Sequence, residues 1–406
     1  MQNGALPDIW KTALVTPIFK KGLASEPGNY RPISITCIAC RIFERIVKEY
    51  LIEHLNRNRV FNPAQHGFLA GHSTCTNLLE SMADWTTNLD NKTGTIVTYI
   101  DYQKAFDSVS IPKLIHKLKH LGITGNLLNC LASFLTNRSQ KVKVENQFSN
   151  TRFLRSGVPQ GSVLGPILFI VYINDVTDML PNCAISKIFA DDLKSYIPIT
   201  SEADLLNYKR LLYGLSMWST MWQLPMAPKK CQWTFIANKS YSIQSENDFK
   251  IQGTVLEEVN FQTDLGIRFT RSLCFKEHIN IICNKAKSVI FLINKRFITK
   301  DPRLLLLAYK SYVLPILTYC SPIWSPYKIG EIQTLEKVQK AFTKKLKGYE
   351  MLPYGERLRM GGLKSLELLR IYADLILCYK ILHNLVALDK EKCLCLKTMM
   401  EHEVTV

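Results

Sequence analysis

The feature that most restricts what this chain can fold into is a pair of adjacent acids, Asp191 and Asp192, set between two β-prone runs in SKIFADDLKSYI. The flanking residues favour extended strands, and the acids between them favour a tight turn, so residues 186–197 read as a β-hairpin with two carboxylates at its tip. Carboxylates side by side repel. In a half-buried setting one of them takes up a proton unless a cation compensates. A hard divalent ion is the usual partner, because Mg²⁺ takes oxygen ligands and commonly binds through one or two carboxylates plus substrate phosphates. On this stretch alone, a hairpin turn with two solvated aspartates reads the same way.

A second acid stands at a strand end, a place well suited to serving an open site. The β-branched and aromatic run TIVTYI, residues 95–100, reads as a buried strand with Asp101 at its C-terminal end. In the YQKAFDSVSIP that follows, Phe106 and Asp107 fall in a turn. Asp107, with Ser108, is the expected cap of a helix running to about residue 121. Farther on, SGVPQGSVLGPILFIVYINDV carries Gly157, Gly161 and Gly165 among Pro159 and Pro166. These make a tight loop that lets backbone approach a ligand and presents Gln160 between Pro159 and Gly161. The spacing matches neither a P-loop nor a dinucleotide fingerprint. The helix that it opens, residues 167–178, is apolar nearly all round and is expected to be buried.

Nearer the start, WKTALVTPIFKKG is an extended segment ending in Lys20, Lys21 and Gly22. In NYRPISI, Pro32 disfavours helix before it, so Arg31 lies on an extended segment, as a triphosphate clamp or as a surface arginine. Residues 37–55 show helical spacing, with Ile42, Ile46, Tyr50 and Leu51 on the apolar face, and helices are also expected at 74–89, 126–135 and 202–222. The alternation in KVKVENQF predicts a hairpin over 140–154. Lys230 lies just before a strand in APKKCQWTFIA, where it either reaches a site or is a solvated loop lysine. Residues 238–258 read as a polar hairpin insertion, and 261–270 as a strand with a glycine turn. From residue 275 the pattern changes to long helices at 279–297, 302–319, 329–347 and 363–385. The third closes on Lys337, Lys340, Lys344, Lys345 and Lys347, a face either solvated or laid against phosphates.

Charge narrows the partner. Lys plus Arg outnumber Asp plus Glu by 51 to 34, a net charge of +17, which favours a polyanion, nucleic acid first, over a merely basic soluble protein. With 47% hydrophobic content over 406 residues, the chain has material for two or three packed units and is not disordered as a whole. Twelve cysteines without a leading apolar segment point to free thiols in a reducing compartment. The CxxC of Cys37 and Cys40 lacks a second pair and is assigned to core packing, and Cys393, Cys395 and His402 are only a thin hint of metal. The longest apolar run, residues 163–173, is interrupted by Gly165 and Pro166 and is too short to span a bilayer, so no membrane partner is expected.

The motifs WKTALVTPIFKKG, NYRPISI, YIDYQKAFDSV, SGVPQGSVLGPILFIVYINDV, FADD and LGIRF, in this order, resemble the reverse transcriptases of non-LTR (LINE-type) retrotransposons of the jockey and CR1 kind, from about Leu6 to Leu385. The resemblance implies an α+β right-hand polymerase fold with fingers, a palm of antiparallel β-sheet plus helices, and a helical thumb. Fingers would occupy residues 1–92, palm 93–274 with a finger–palm hairpin at 139–155, thumb 275–350, and a C-terminal helical extension 351–406. It implies RNA-directed DNA polymerase activity with an RNA template, a DNA primer, dNTPs and two Mg²⁺ ions, Mn²⁺ being a substitute. Asp101 and Asp191 would hold the metals with Asp192 in support, and Lys230 would protonate the leaving pyrophosphate. Phe106 would exclude a ribose 2′-hydroxyl, Lys20 and Arg31 would bind phosphates, and Gln160 beside Gly161 would contact nucleotide and template. Nucleus or cytoplasm is the implied compartment. Full elements of this kind also carry an endonuclease and many carry a Cys/His module, and Leu369 stands where a second basic residue is common. The competing expectation is therefore a truncated, catalytically silent nucleic-acid-binding remnant.

Overall fold

The computed structural model describes residues 4–237 and 249–393. The chain packs as two compact units, one of residues 1–69, 96–233 and 244–258, the other of 70–95, 234–243 and 259–406.

Among the described residues, the first unit carries most of two five-stranded sheets and a small two-stranded one. Strands β1 (Thr12–Phe19) and β2 (Tyr30–Ile35) form an antiparallel pair that ends with Phe19 opposite Tyr30. β3 is Gly94–Ile100. The predicted hairpin appears as β4 (Ser139–Val144), β5 (Gln147–Phe148) and β6 (Arg152–Phe153). β4 also runs parallel to β1, from Thr12 opposite Ser139, a long-range pairing that local alternation does not encode. β7 (Ile185–Phe189) and β8 (Asp192–Ile199) are the acidic hairpin, in antiparallel register with Phe189 opposite Asp192. β9 is Gln232–Ile236. The insertion expected at 238–258 is described only from residue 249, as the pair β10 (Lys250–Ile251) and β11 (Thr254–Val255) and the short β12 (Glu257–Glu258). The second sheet has the order β12-β9-β3-β8-β7, so the strand before Asp101 neighbours the strand that Asp192 begins.

Helices of this unit are packed on their apolar faces, and one of them, Glu202–Trp222, lies against β8. Gly165–Ile173 is apolar throughout, and every residue from Ile167 to Ile173 is buried. The helix Glu202–Trp222 starts on a capping box from Ser201 and Asp204 and buries Tyr208, Leu211, Leu215 and Trp218. The helix Ile38–Arg57 departs from expectation. Its buried face is Cys40, Glu44, Val47, Leu51 and Leu55, while Ile42, Ile46 and Tyr50 are exposed. The reason is Glu44, which is fully buried and accepts the backbone N–H groups of Val163 (2.7 Å) and Leu164 (3.0 Å) just ahead of the apolar helix. A carboxylate that accepts two backbone N–H groups at the turn ahead of a helix is stable inside, so the face bearing it turns inward.

The second unit is mostly helical. Its hairpin, β13 (Phe261–Asp264) and β14 (Ile267–Thr270), turns at Leu265 and Gly266, as the glycine in LGIRF predicts. Helices Lys276–Arg296 and Ile329–Lys344 pack with Tyr309, Trp324 and Leu366 around one core, in which Tyr309 and Phe342 stack at 4.4 Å. The single helix expected at 302–319 is broken into Pro302–Ala308, a π-turn at Tyr309–Val313, and Leu314–Thr318. Pro315 lacks an N–H and its ring crowds the preceding turn, which the wider turn accommodates. The last long helix is shorter than expected, Leu366–Leu382, and a separate helix, Tyr354–Gly361, precedes it.

Removing the Glu44 carboxylate strands two buried N–H groups. Glu44→Ala is expected to cost about 2–3 kcal/mol in urea unfolding, and Glu44→Gln, which keeps one acceptor, less than half of that. Equal costs for the two variants would show that the carboxylate does not hold the 163–164 turn.

Candidate active site

Asp191 occupies the turn between β7 and β8, and the turn is tightly held. Ala190 has a left-handed backbone (φ 58°), an unfavourable conformation for a residue with a Cβ. Its N–H donates to Gln65 Oε1 at 3.0 Å, and the same oxygen accepts the N–H of Gly67 at 2.7 Å. Segment 64–66 brackets β7 from outside, Ile188 N–H to Ala64 O and His66 N–H to Ile188 O, both 2.8 Å. Gly67 is required there, since a Cβ would lie 2.4 Å from the Ala190 nitrogen.

Asp101 leaves β3 half exposed. Its carbonyl accepts the N–H of Ala227 at 2.7 Å, and the buried Cys231 thiol lies 3.4 Å from its N–H. Its carboxylate pairs with Lys230 Nζ at 3.4 Å. With Asp101 44% and Lys230 74% exposed, this pair contributes little to stability and opens readily. Asp191 lies in another environment. Burial, and next to it the charge of Asp101, raise its carboxyl above the ordinary carboxylate range. Its own backbone N–H, then Arg31 and Lys20, pull in the other direction.

The glycine loop lies against the turn that carries Phe106. Val158 N–H donates to Phe106 O and Gly157 N–H to Val109 O, both 2.8 Å. A Cβ on Gly157 (φ 93°) would sit 2.8 Å from Asp107 Cα. On its other side, Gln160 O accepts the N–H of Ser34 in β2 at 2.7 Å, and Gly161 (φ 99°) passes Ser34 O at a distance no side chain permits. Phe106 stacks on Phe169 of the apolar helix, centroids 4.4 Å apart. Asp107 departs from expectation. It lies in its own short helix, Ala105–Ser108, and the next helix, Ile111–His120, takes Ser110 as its N-cap without a side-chain bond. The Asp107 carboxylate instead accepts the side-chain amide of Gln160 at 3.0 Å.

Lys20, Arg31, Asp101, Phe106, Gln160, Gly161, Asp191, Asp192 and Lys230 all line one cleft of about 1440 Å³ in the first unit. Lys104 and Asp107, which carried no site role in the sequence reading, line it as well. Gln65, Gly67, Glu44 and Cys231 support the cleft through contacts between residues far apart in the chain, and no local pattern marks them. Among the described residues no group of three or more His, Cys, Asp or Glu side chains would hold a metal ion unaided. The donor set still fits a hard divalent cation, which needs only one or two carboxylates when phosphates and water complete its shell. Cys393 belongs to no such group, and Cys395 and His402 lie outside the described residues. Among the described residues no helix is long and apolar enough to cross a membrane.

The profile of the reverse transcriptase (RNA-dependent DNA polymerase) family matches residues 18–292. The chain is 29% identical over 336 residues to the "Probable RNA-directed DNA polymerase from transposon BS" of Drosophila melanogaster, covering 78% of this chain and 36% of the relative. It is 27% identical over 370 residues to the RNA-directed DNA polymerase from mobile element jockey of the same organism, covering 88% and 39%. The chain thus spans well under half the length of these curated relatives. Among solved structures, apo telomerase from Candida tropicalis shares the fold at a TM-score of 0.51 and 12% identity, over 87% of this chain and 58% of that one.

Because the folded state raises the Asp191 pKa, its ionised carboxylate lowers stability above the raised value. The cost vanishes below about pH 4, where folded and unfolded chains are both protonated. Asp191→Asn is expected to raise the thermal midpoint at pH 7 without divalent ions, with a gain that disappears on acidification to pH 3.5. Mg²⁺ should then stabilise wild type more than the variant. A lower midpoint for the variant at pH 7 would contradict this assignment of the charge.

Proposed function

The chain belongs to the reverse transcriptase (RNA-dependent DNA polymerase) family, and from that premise we propose that it extends a DNA primer on an RNA template, as the polymerase of a non-LTR retrotransposon. The observation that carries the reading is the convergence of Asp101 and Asp191 from neighbouring strands on one cleft with Lys20 and Arg31. Two repelling carboxylates beside two cations suit a site for metal-bound triphosphate.

Reverse transcriptases depend on metal ions. Asp101 and Asp191 would hold two Mg²⁺ with Asp192 beside them, and ions bound there would acidify the primer 3′-hydroxyl and neutralise the triphosphate. Phosphoryl transfer then asks mainly for positioning and charge. Arg31, fixed on β2, and Lys20, just past β1, supply cations to the triphosphate at the cleft. Lys230 would leave Asp101 once the carboxylate is ligated and give an Nζ proton to the departing pyrophosphate oxygen. Phe106, backed by Phe169, presents a ring that cannot retreat, as a gate against a 2′-hydroxyl requires. In this reading the sheet bearing Asp101 and Asp191 is the palm, β1 and β2 belong to the fingers, and residues 275–350 are the thumb. The exposed Lys337, Lys340, Lys344, Lys345 and Lys347 would lie along phosphates. The silent-remnant alternative has less support, since Asp101, Asp191, Asp192, Phe106 and Gln160 are all in place.

Primer extension on a homopolymer RNA template with Mg²⁺ tests the reading. Wild type is expected to incorporate the complementary dNTP, and Asp191→Ala to lower the rate at least a thousandfold, the scale of losing a group that positions reacting phosphate. Folded wild type that incorporates nothing would overturn the proposal. In the same assay, Phe106→Val should increase rNTP use relative to dNTP; unchanged sugar selectivity would remove Phe106 as the gate.

A further inference from the structure

Asp107 is a half-buried acid at the cleft with no role in the chemistry proposed above. Its carboxylate accepts the side-chain N–H of Gln160 at 3.0 Å and caps no helix. Its backbone serves the fold separately. Ser156 Oγ donates to Asp107 O at 2.9 Å, and the flanking residues Phe106 and Val109 hold Val158 and Gly157 through main-chain bonds. The loop is thus fixed by backbone on both sides, and the carboxylate is left to act on the Gln160 side chain that donates to it.

That action is directional. A glutamine amide has a donating and an accepting end of nearly equal size, and nothing in its shape decides which end points where. An ionised carboxylate only accepts, so it takes the NH₂ end. Gln160 is then left with its carbonyl oxygen as the polar group for the cleft, which it lines. Given the polymerase reading, on which this rests, we infer that Asp107 is a positioning residue that locks the Gln160 amide so that the cleft presents an acceptor to a hydrogen-bond donor on the incoming nucleotide or its template partner. Asp107 need not touch substrate or metal for this. Burial raises its pKa, and the Gln160 amide and the Lys104 charge act against that rise.

The test is steady-state dNTP incorporation by wild type, Asp107→Asn, Asp107→Leu, Gln160→Ala and the Asp107→Leu/Gln160→Ala double variant, with thermal midpoints and Mg²⁺ titrations for each. Asn offers the amide a donor as well as an acceptor and so no longer fixes its orientation; its dNTP KM should fall between those of wild type and Leu. Leu, and Ala as a second variant should Leu not fold, should raise the dNTP KM about tenfold, the scale of one hydrogen bond of about 1.4 kcal/mol. Half-saturating Mg²⁺ should not move. The double variant should be no worse than Gln160→Ala, since both act through one amide. Multiplying effects, an Asn variant indistinguishable from wild type, or a raised Mg²⁺ requirement would each overturn the inference while leaving the polymerase reading intact. A folded wild type with no incorporation would remove that reading, and the inference with it.

Discussion

The repulsion between Asp101 and Asp191 is the constraint on which the rest of the first unit depends. In an unfolded chain these acids would separate; here β3 and β8 are neighbours, and each acid lies at the cleft end of its strand. The sheet is backed at β8 by the helix Glu202–Trp222, which buries Tyr208, Leu211 and Leu215. Further strain is taken at the turn itself, where Ala190 adopts a left-handed conformation that Gln65 stabilises by accepting its N–H. Burial, charge repulsion and backbone strain therefore concentrate at one turn, as expected where structure is spent on function rather than on stability.

Much of this was legible locally. The hairpin around Asp191, the strand ending at Asp101, the buried helix after Pro166 and the long helices after residue 275 each follow from periodicity and turn residues over short windows. What escaped depends on partners distant in the chain. The helix 38–57 exposes Ile42, Ile46 and Tyr50 because Glu44 answers N–H groups over a hundred residues away. Asp107 looks like a helix cap by position, and becomes the partner of Gln160 only because main-chain bonds bring the glycine loop onto its turn. The break at Tyr309–Val313 was foreshadowed by Pro315, although helical spacing across it stays regular. Sequence thus marked the groups that line the cleft better than the groups that hold them.

The cleft also shows why family membership and geometry inform each other. Membership supplies the reaction class, but 12% identity to telomerase shows only a shared fold. The arrangement of this chain's own residues then distributes the work: Lys230 near Asp101, Arg31 and Lys20 within electrostatic reach of Asp191, and Phe106 backed by Phe169. The proposed reaction needs charge to be gathered at one point and held still, and each of these contacts would serve one of those two ends.

If Asp101 and Asp191 together ligate the cations of the proposed reaction, crystals of the chain with an RNA–DNA duplex, the complementary dNTP and Mn²⁺ will show anomalous manganese peaks bound directly to both carboxylates and to the triphosphate. Peaks on the triphosphate that leave either Asp101 or Asp191 without a bound ion would contradict that ligation.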